Sequence, residues 1–121
     1  MADIEVQPDA LVIHIRGIDK LLSFASQFTL PRSHVKGAHA GIDAGAREQL
    51  DHSYRLPGAY MPGIAIAGRF FEHGQWAFWD IHTGEKAITI EVDHDKYTRF
   101  VVEVDEPKLT VAAIQDWLAA K

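Results

Sequence analysis

Apolar and polar residues alternate over many short segments of this sequence. Residues 97–104 give the clearest case, because every second position from Phe100 to Val104 is apolar. A period of two is typical of a half-buried β-strand, whose side chains point alternately to the core and to solvent. The same reasoning predicts further strands at Ile4–Val6, Leu11–Arg16, Phe28–Leu30, Arg32–Ala40 and Ala87–Val92.

Residues 54–81 carry most of the aromatic residues and predict the central hairpin of the fold. Two Pro-Gly pairs, at 57–58 and 62–63, mark turns at its start, since Pro fixes φ and Gly accepts positive φ. The aromatic residues of the second arm favour core packing; the alternative is a stacking platform for a base or sugar. The two arms and the turn between them are Ile64–Phe71, His73–Gln75 and Trp76–Ile81.

The three segments from Trp76 to Val104 are joined by connections too short for a crossover helix. We therefore expect them to form an antiparallel meander. Residues 18–26 allow either a helical turn or a bent strand, and we favour the helical turn. The small, polar residues 41–53 predict a long loop.

The period changes after Pro107, which suits the first turn of a helix, with Asp105 or Glu106 as its cap. Apolar residues then recur on one helical face, at Val111, Ile114, Trp117 and Leu118. The pattern as a whole predicts a mainly β protein of about seven antiparallel strands, forming a partly open barrel that the C-terminal helix caps. The chain has 121 residues, which is the length of one domain, so we expect a single domain, 1–121.

Several short motifs recur in an order that resembles a family of small, mostly uncharacterised bacterial proteins of the pleckstrin-homology-like type. They are R-L-P-G at Arg55–Gly58, A-G-x-F at Ala67–Phe70, F-W-D-I at Phe78–Ile81, V-V-E-V at Val101–Val104, and then Pro107. The resemblance extends from Leu11 to Leu118. It implies a pleckstrin-homology-like barrel but no agreed substrate.

Charge and composition limit the classes of partner that the protein is expected to bind. With 12 basic against 17 acidic residues, the net charge is −5, and no basic cluster occurs, so we expect no nucleic-acid partner. Pleckstrin-homology domains that hold phosphoinositides use basic residues near their first strands. Here Arg16, Lys20, Arg32 and Lys36 are all that region offers, so lipid binding is not expected. The absence of cysteine and of a signal-peptide pattern favours a cytoplasmic protein, and no apolar run could span a bilayer.

Seven histidines raise the question of a metal site. No two of them have a spacing that local geometry would turn into a ligand pair, so we predict solvated histidines, no metal site and no cofactor. They are His14, His34, His39, His52, His73, His82 and His94.

Asp80 is the most unusual ionisable residue, because it lies between Trp79 and Ile81 on an apolar strand. A buried carboxylate must be paired or neutral. The favoured interpretation is a structural ion pair, with Arg55 or Arg69 as partner; the alternative is a general acid or base. These three residues are the candidate site residues.

No nucleophile and base occur at a spacing that fixes their geometry, so no catalytic residue is predicted. We therefore expect a non-catalytic binding or assembly module that acts through protein–protein contacts, including self-association, with the strand at Arg32–Ala40 as a docking edge. The alternative function is a small barrel that binds or turns over a small molecule through Asp80 and a histidine.

Overall fold

The computed structural model describes residues 1–16, 27–42, 54–61, 65–72, 75–82, 85–93 and 96–120. For residues 54–61, 65–67 and 72 only the backbone is described. The fold is mainly β with one C-terminal helix, as predicted. The strands are β1 (Ala2–Val6), β2 (Ala10–Ile15), β3 (Gln27–Pro31), β4 (Val35–Ala40), β5 (Tyr54–Met61), β6 (Ala65–Glu72), β7 (Gln75–Ile81), β8 (Ala87–Val92) and β9 (Tyr97–Glu103), and the helix is α1 (Pro107–Ala119).

The first three strands form an antiparallel sheet in the order β1-β2-β3. A tight turn joins β1 to β2, and the Gln7 amide donates to the Ala10 carbonyl across it (2.9 Å). The apolar positions of β2 that the alternation placed in the core are buried there. A short 3₁₀ turn, Arg32–His34, then leads into β4, so the strand predicted at Arg32–Ala40 begins three residues later.

The other strands form a six-stranded sheet in the order β4-β8-β9-β7-β6-β5. The predicted hairpin of β6 and β7 is confirmed, but the predicted antiparallel meander is wrong. Strand β9 lies between β8 and β7, and it runs parallel to β7. Residues 82–86 reach up to about 17 Å when extended, which is enough to pass over one strand to a position ~10 Å away. A connection too short for a crossover helix can therefore still skip one strand.

Nine strands are described, against about seven expected. Strand β5 was not predicted, because its Pro57-Gly58 pair indicated only a turn. The register shifts between Arg55 and Gly58, so this pair lies at an irregular point of an edge strand. Proline is tolerated at such a point because its missing N–H interrupts no regular ladder.

Two apolar clusters lie on opposite faces of the six-stranded sheet. The larger joins both sheets and α1, and includes Phe78, Phe100 and Ile114. The smaller includes Trp79 and Val101, which alternate with members of the larger cluster along their strands. The described strands form two sheets rather than one closed barrel, so the pleckstrin-homology-like fold remains a prediction.

The C-terminal helix matches its prediction closely. It begins at Pro107 with Glu106 as the N-cap residue, although the Glu106 side chain makes no capping hydrogen bond. On its inner face Ile114 is buried, and Trp117 and Leu118 are half-buried against the larger cluster. In the described part of the chain, no helix is both long and apolar enough to cross a membrane. The helical turn predicted within 18–26 and most of the loop predicted at 41–53 lie outside the described residues.

Candidate functional site

Asp80 is fully buried on β7, as its apolar neighbours predicted. Its Oδ2 atom accepts a hydrogen bond from the Met1 ammonium at 3.1 Å, which forms an ion pair between the start of β1 and the six-stranded sheet. Pairing offsets the desolvation of a buried carboxylate. This contact joins the two sheets, and it agrees with the structural interpretation of Asp80.

The two arginines proposed as partners of Asp80 occupy different positions. Arg69 lies opposite Phe78, so its side chain and that of Asp80 share a sheet face at diagonal positions, within reach of a long side chain. The Arg69 Nε atom donates to the Tyr97 hydroxyl at 2.6 Å. Arg55 lies on β5 opposite Phe70, and its side chain is outside the described part of the structure.

The described histidines are not gathered into a metal site. Among the described residues, no three His, Asp or Glu side chains lie close enough together to hold an ion. His14 instead contacts Glu5, with Nε2 and Oε1 3.0 Å apart. Two hydrogen bonds lower the pKa of the Glu5 carboxyl below its ordinary value, the larger effect coming from Gln7 and the smaller from His14.

Glu103 and Arg32 also have structural partners that the sequence did not indicate. Buried Glu103 accepts a hydrogen bond from the His82 amide at 2.5 Å. Arg32 donates to the Trp117 carbonyl (2.7 Å) and to the Ala120 carbonyl, and its guanidinium lies over the Trp117 ring. Because the last carbonyls of a helix have no partner within the helix, Arg32 caps the end of α1.

An open cavity of about 580 Å³ adjoins this capped helix end. Its described lining contains neither Asp80 nor a histidine, the residues on which the small-molecule alternative depends. The lining residues are Asp9, Pro31, Arg32, Ser33, Val35 and Leu118.

Strand β4, the predicted docking edge, does lie at an edge of the six-stranded sheet. Gly41 donates to Ala87 of the neighbouring segment, so the main-chain groups of Ala38 and Ala40 point away from β8. However, the Gln115 side chain of α1 already donates to the Ala38 carbonyl (3.0 Å). Exposed Lys36 also lies in an irregularity of the ladder. A covering helix, a lysine and a bulge are features that discourage strand addition.

Strand β3 presents a more open edge. The Arg32 amide donates to the Asp9 carbonyl (2.8 Å), so along the regular ladder the main-chain groups of Gln27, Thr29 and Pro31 face away from β2. All three residues are exposed, and no described strand pairs with this side of β3. Pro31 fits its outward position because it has no N–H to donate to β2.

Phe28 supplies the apolar surface of this edge. Its ring packs on three aromatic rings of the larger sheet, those of Phe78, Phe100 and Tyr97, at centroid distances of 4.6, 4.9 and 5.4 Å. Those rings are buried, whereas Phe28 is only half-buried. The Arg69 guanidinium lies over the Phe28 ring at 5.8 Å.

The β3 edge was not selected from the sequence, although the strand itself was predicted. Alternation identified the apolar side chains at 28 and 30, but no local signal shows whether a neighbouring strand covers the other side. Polar Thr29 within the strand and Pro31 at its end were the features of the sequence that could have suggested an unpaired edge. The chain matches no protein-family model, no curated protein and no solved structure.

Proposed function

We propose that this protein is a non-catalytic binding module that acts through protein–protein contacts, and that the outer edge of β3 receives an extended segment of a partner protein. The outer edge of β3, with which no described strand pairs, carries the proposal. Its exposed Gln27 and Thr29 direct main-chain donors and acceptors away from β2. An added strand would satisfy these groups, a mode of recognition in which the main chain supplies affinity and alternate side chains supply specificity.

The side chains of the edge define what this segment should look like. Residues at successive positions of an added strand point to opposite faces. The side chains on one face would lie beside polar Gln27 and Thr29, and those on the other face would cover the half-buried ring of Phe28. The fitting partner is therefore an extended segment in which polar and apolar residues alternate.

Buried ionisable groups support a binding role rather than catalysis. Asp80 and Glu103 are both buried and both make contacts that hold the fold together, with the Met1 ammonium and the His82 amide. The proposal places the module in the cytoplasm. A mainly β domain with a C-terminal helix fits the resemblance to pleckstrin-homology-like proteins in outline.

Selection from a library of displayed random peptides tests this proposal. We expect the selected peptides to bind Thr29→Pro protein at least about tenfold more weakly, because the substitution removes one outward N–H. The matched control is Ala40→Pro, which removes an outward N–H from the shielded edge of β4 and should leave binding unchanged. Circular dichroism would show that both variants are folded. Equal binding by wild-type and Thr29→Pro protein would exclude β3 as the contact edge.

A further inference from the structure

We propose that the occupant of the β3 edge is a second copy of this chain, which forms a two-fold symmetric dimer with Phe28 on the axis. This inference rests on the proposed contact function and adds a partner and a register to it. In the dimer, two β3 strands run antiparallel, with Gln27 of each copy opposite Thr29 of the other. The two three-stranded sheets then become one six-stranded sheet.

Main-chain chemistry allows this register and one neighbouring register. The outward groups belong to Gln27, Thr29 and Pro31, and Pro31 has no N–H. Pairing Gln27 with Thr29 uses both outward N–H groups of each copy and two of its three outward carbonyls, so four main-chain hydrogen bonds form and Pro31 lies outside the ladder. Pairing Thr29 with Thr29 instead places Gln27 opposite Pro31, and it also gives four main-chain hydrogen bonds, because each Gln27 N–H donates to a Pro31 carbonyl. In that register the Gln27 carbonyl lies opposite Pro31, which has no N–H to donate to it.

Side chains favour the Gln27–Thr29 register, because the alternative would place Phe28 opposite Leu30, which is already buried in the single chain. Phe28 of one copy lies directly opposite Phe28 of the other, at a non-hydrogen-bonded pair where side chains approach most closely. This contact would cover the apolar surface that Phe28 leaves exposed in the single chain. On the outer face of the merged sheet, the side-chain amide of Gln27 in one copy lies beside the hydroxyl of Thr29 in the other.

Charge does not oppose pairing at this edge. Each copy carries a net charge of −5, which disfavours association in general. However, β3 contains no charged residue. Two other edge strands carry exposed charges, which are Asp3 and Glu5 on β1 and Lys36 on β4. Uncharged, regular edges are those on which strands add most readily.

Sedimentation equilibrium across a concentration series tests whether the dimer exists. We expect reversible dimers in wild-type protein and an increase of at least about tenfold in the dissociation constant for Thr29→Pro. Ala40→Pro should leave the dissociation constant unchanged. A monomer at every concentration, or a dimer unaffected by Thr29→Pro, would overturn the inference.

Cross-linking tests the register, and the chain suits it because it contains no cysteine. Gln27→Cys and Thr29→Cys chains, mixed and oxidised, should form the mixed disulfide at least about tenfold faster than either symmetric one. In the proposed register the mixed pair lies ~5.5 Å apart between Cα atoms, whereas each symmetric pair lies ~8 Å apart, too far to bridge. An Ala40→Cys chain gives the background rate for an exposed edge position.

The outcomes separate the two proposals. A fast symmetric disulfide in the Thr29→Cys chain would refute this register. A strictly monomeric protein that still binds selected peptides through β3 would refute the dimer and leave the contact function intact. Loss of both would refute both.

Discussion

Replacement of Trp117 by alanine tests how α1 is held to the two sheets. The Trp117 ring is half-buried against the larger apolar cluster, and its Nε1 atom donates to the Gln7 carbonyl at 2.8 Å. The Arg32 guanidinium lies 5.6 Å from the ring centroid. The substitution therefore removes apolar burial, a hydrogen bond and a cation–π contact together.

The expected loss in the free energy of unfolding is about 4 kcal/mol. A tryptophan side chain buries roughly 200 Å² when fully covered, and half of that area at ~25 cal/mol per Å² contributes about 2.5 kcal/mol. The hydrogen bond to Gln7 adds ~1 kcal/mol, and the partly exposed cation–π contact adds about 0.5 kcal/mol. This sum lies in the middle of the range for a fully buried tryptophan, about 3–5 kcal/mol.

Equilibrium denaturation in urea measures this loss, and two further variants separate its causes. Leu109→Ala, at a position of the same helix that is 68% exposed, should change stability by less than about 0.5 kcal/mol. Trp117→Phe keeps an aromatic ring but removes the N–H, so we expect a loss of ~1–2 kcal/mol. If Trp117→Ala were no more destabilising than Leu109→Ala, α1 would not be anchored to the sheets as described.

Asp80, Glu5 and the net charge of the chain each lead to a further prediction. Asp80→Asn should destabilise the protein by about 2 kcal/mol or more in urea denaturation, because the Met1 ammonium loses its buried partner, whereas exposed Asp116→Asn should change stability by less than about 0.5 kcal/mol. The pKa of Glu5 should lie below 4.5 in an NMR titration and should rise in Gln7→Ala protein. Because folding lowers this pKa, the stability that Glu5 contributes is fully present above the pKa of the unfolded state. That stability is lost as the pH falls through the pKa of the folded state. Vesicles that contain phosphoinositides should not bind the protein at physiological salt, because its net charge is −5, and salt-sensitive cosedimentation would contradict this.

Local patterns predicted the elements of this fold far better than their pairing. Alternation located β2, β8 and β9, and the change of period located α1, because both signals depend on side chains close in sequence. The parallel pairing of β7 with β9 depends on which strand inserts beside which, and the short connections led to the wrong prediction of an antiparallel meander. Strand β5 was missed for a related reason, since a Pro-Gly pair marks a turn unless a sheet edge accommodates it.

The same limit applies to the candidate site residues. The burial of Asp80 could be predicted because Trp79 and Ile81 flank it, and the structure confirms it. Its described partner lies 79 residues away at the start of β1, where no spacing rule applies. Arg32 and Gln115 likewise reach their partners only after α1 has packed across the end of the sheets.

Whether an edge strand can pair with another strand depends on what packs beside it. The sequence of β4, small and weakly patterned, made it the natural choice for a docking edge, but α1 supplies Gln115 to its Ala38 carbonyl and so fills the position that an added strand would use. The sequence of β3 contained no such signal, yet its outer main-chain groups have no described strand beside them, and its Phe28 ring is only half-buried. Gln115→Ala provides the decisive comparison. If shielding by α1 is what keeps β4 from pairing, this substitution should add a second association that Ala40→Pro abolishes and Thr29→Pro does not, measured by sedimentation of the double variants. If Gln115→Ala protein associates no more strongly than wild type, Lys36 and the irregular ladder of β4 are sufficient to block strand addition without the helix.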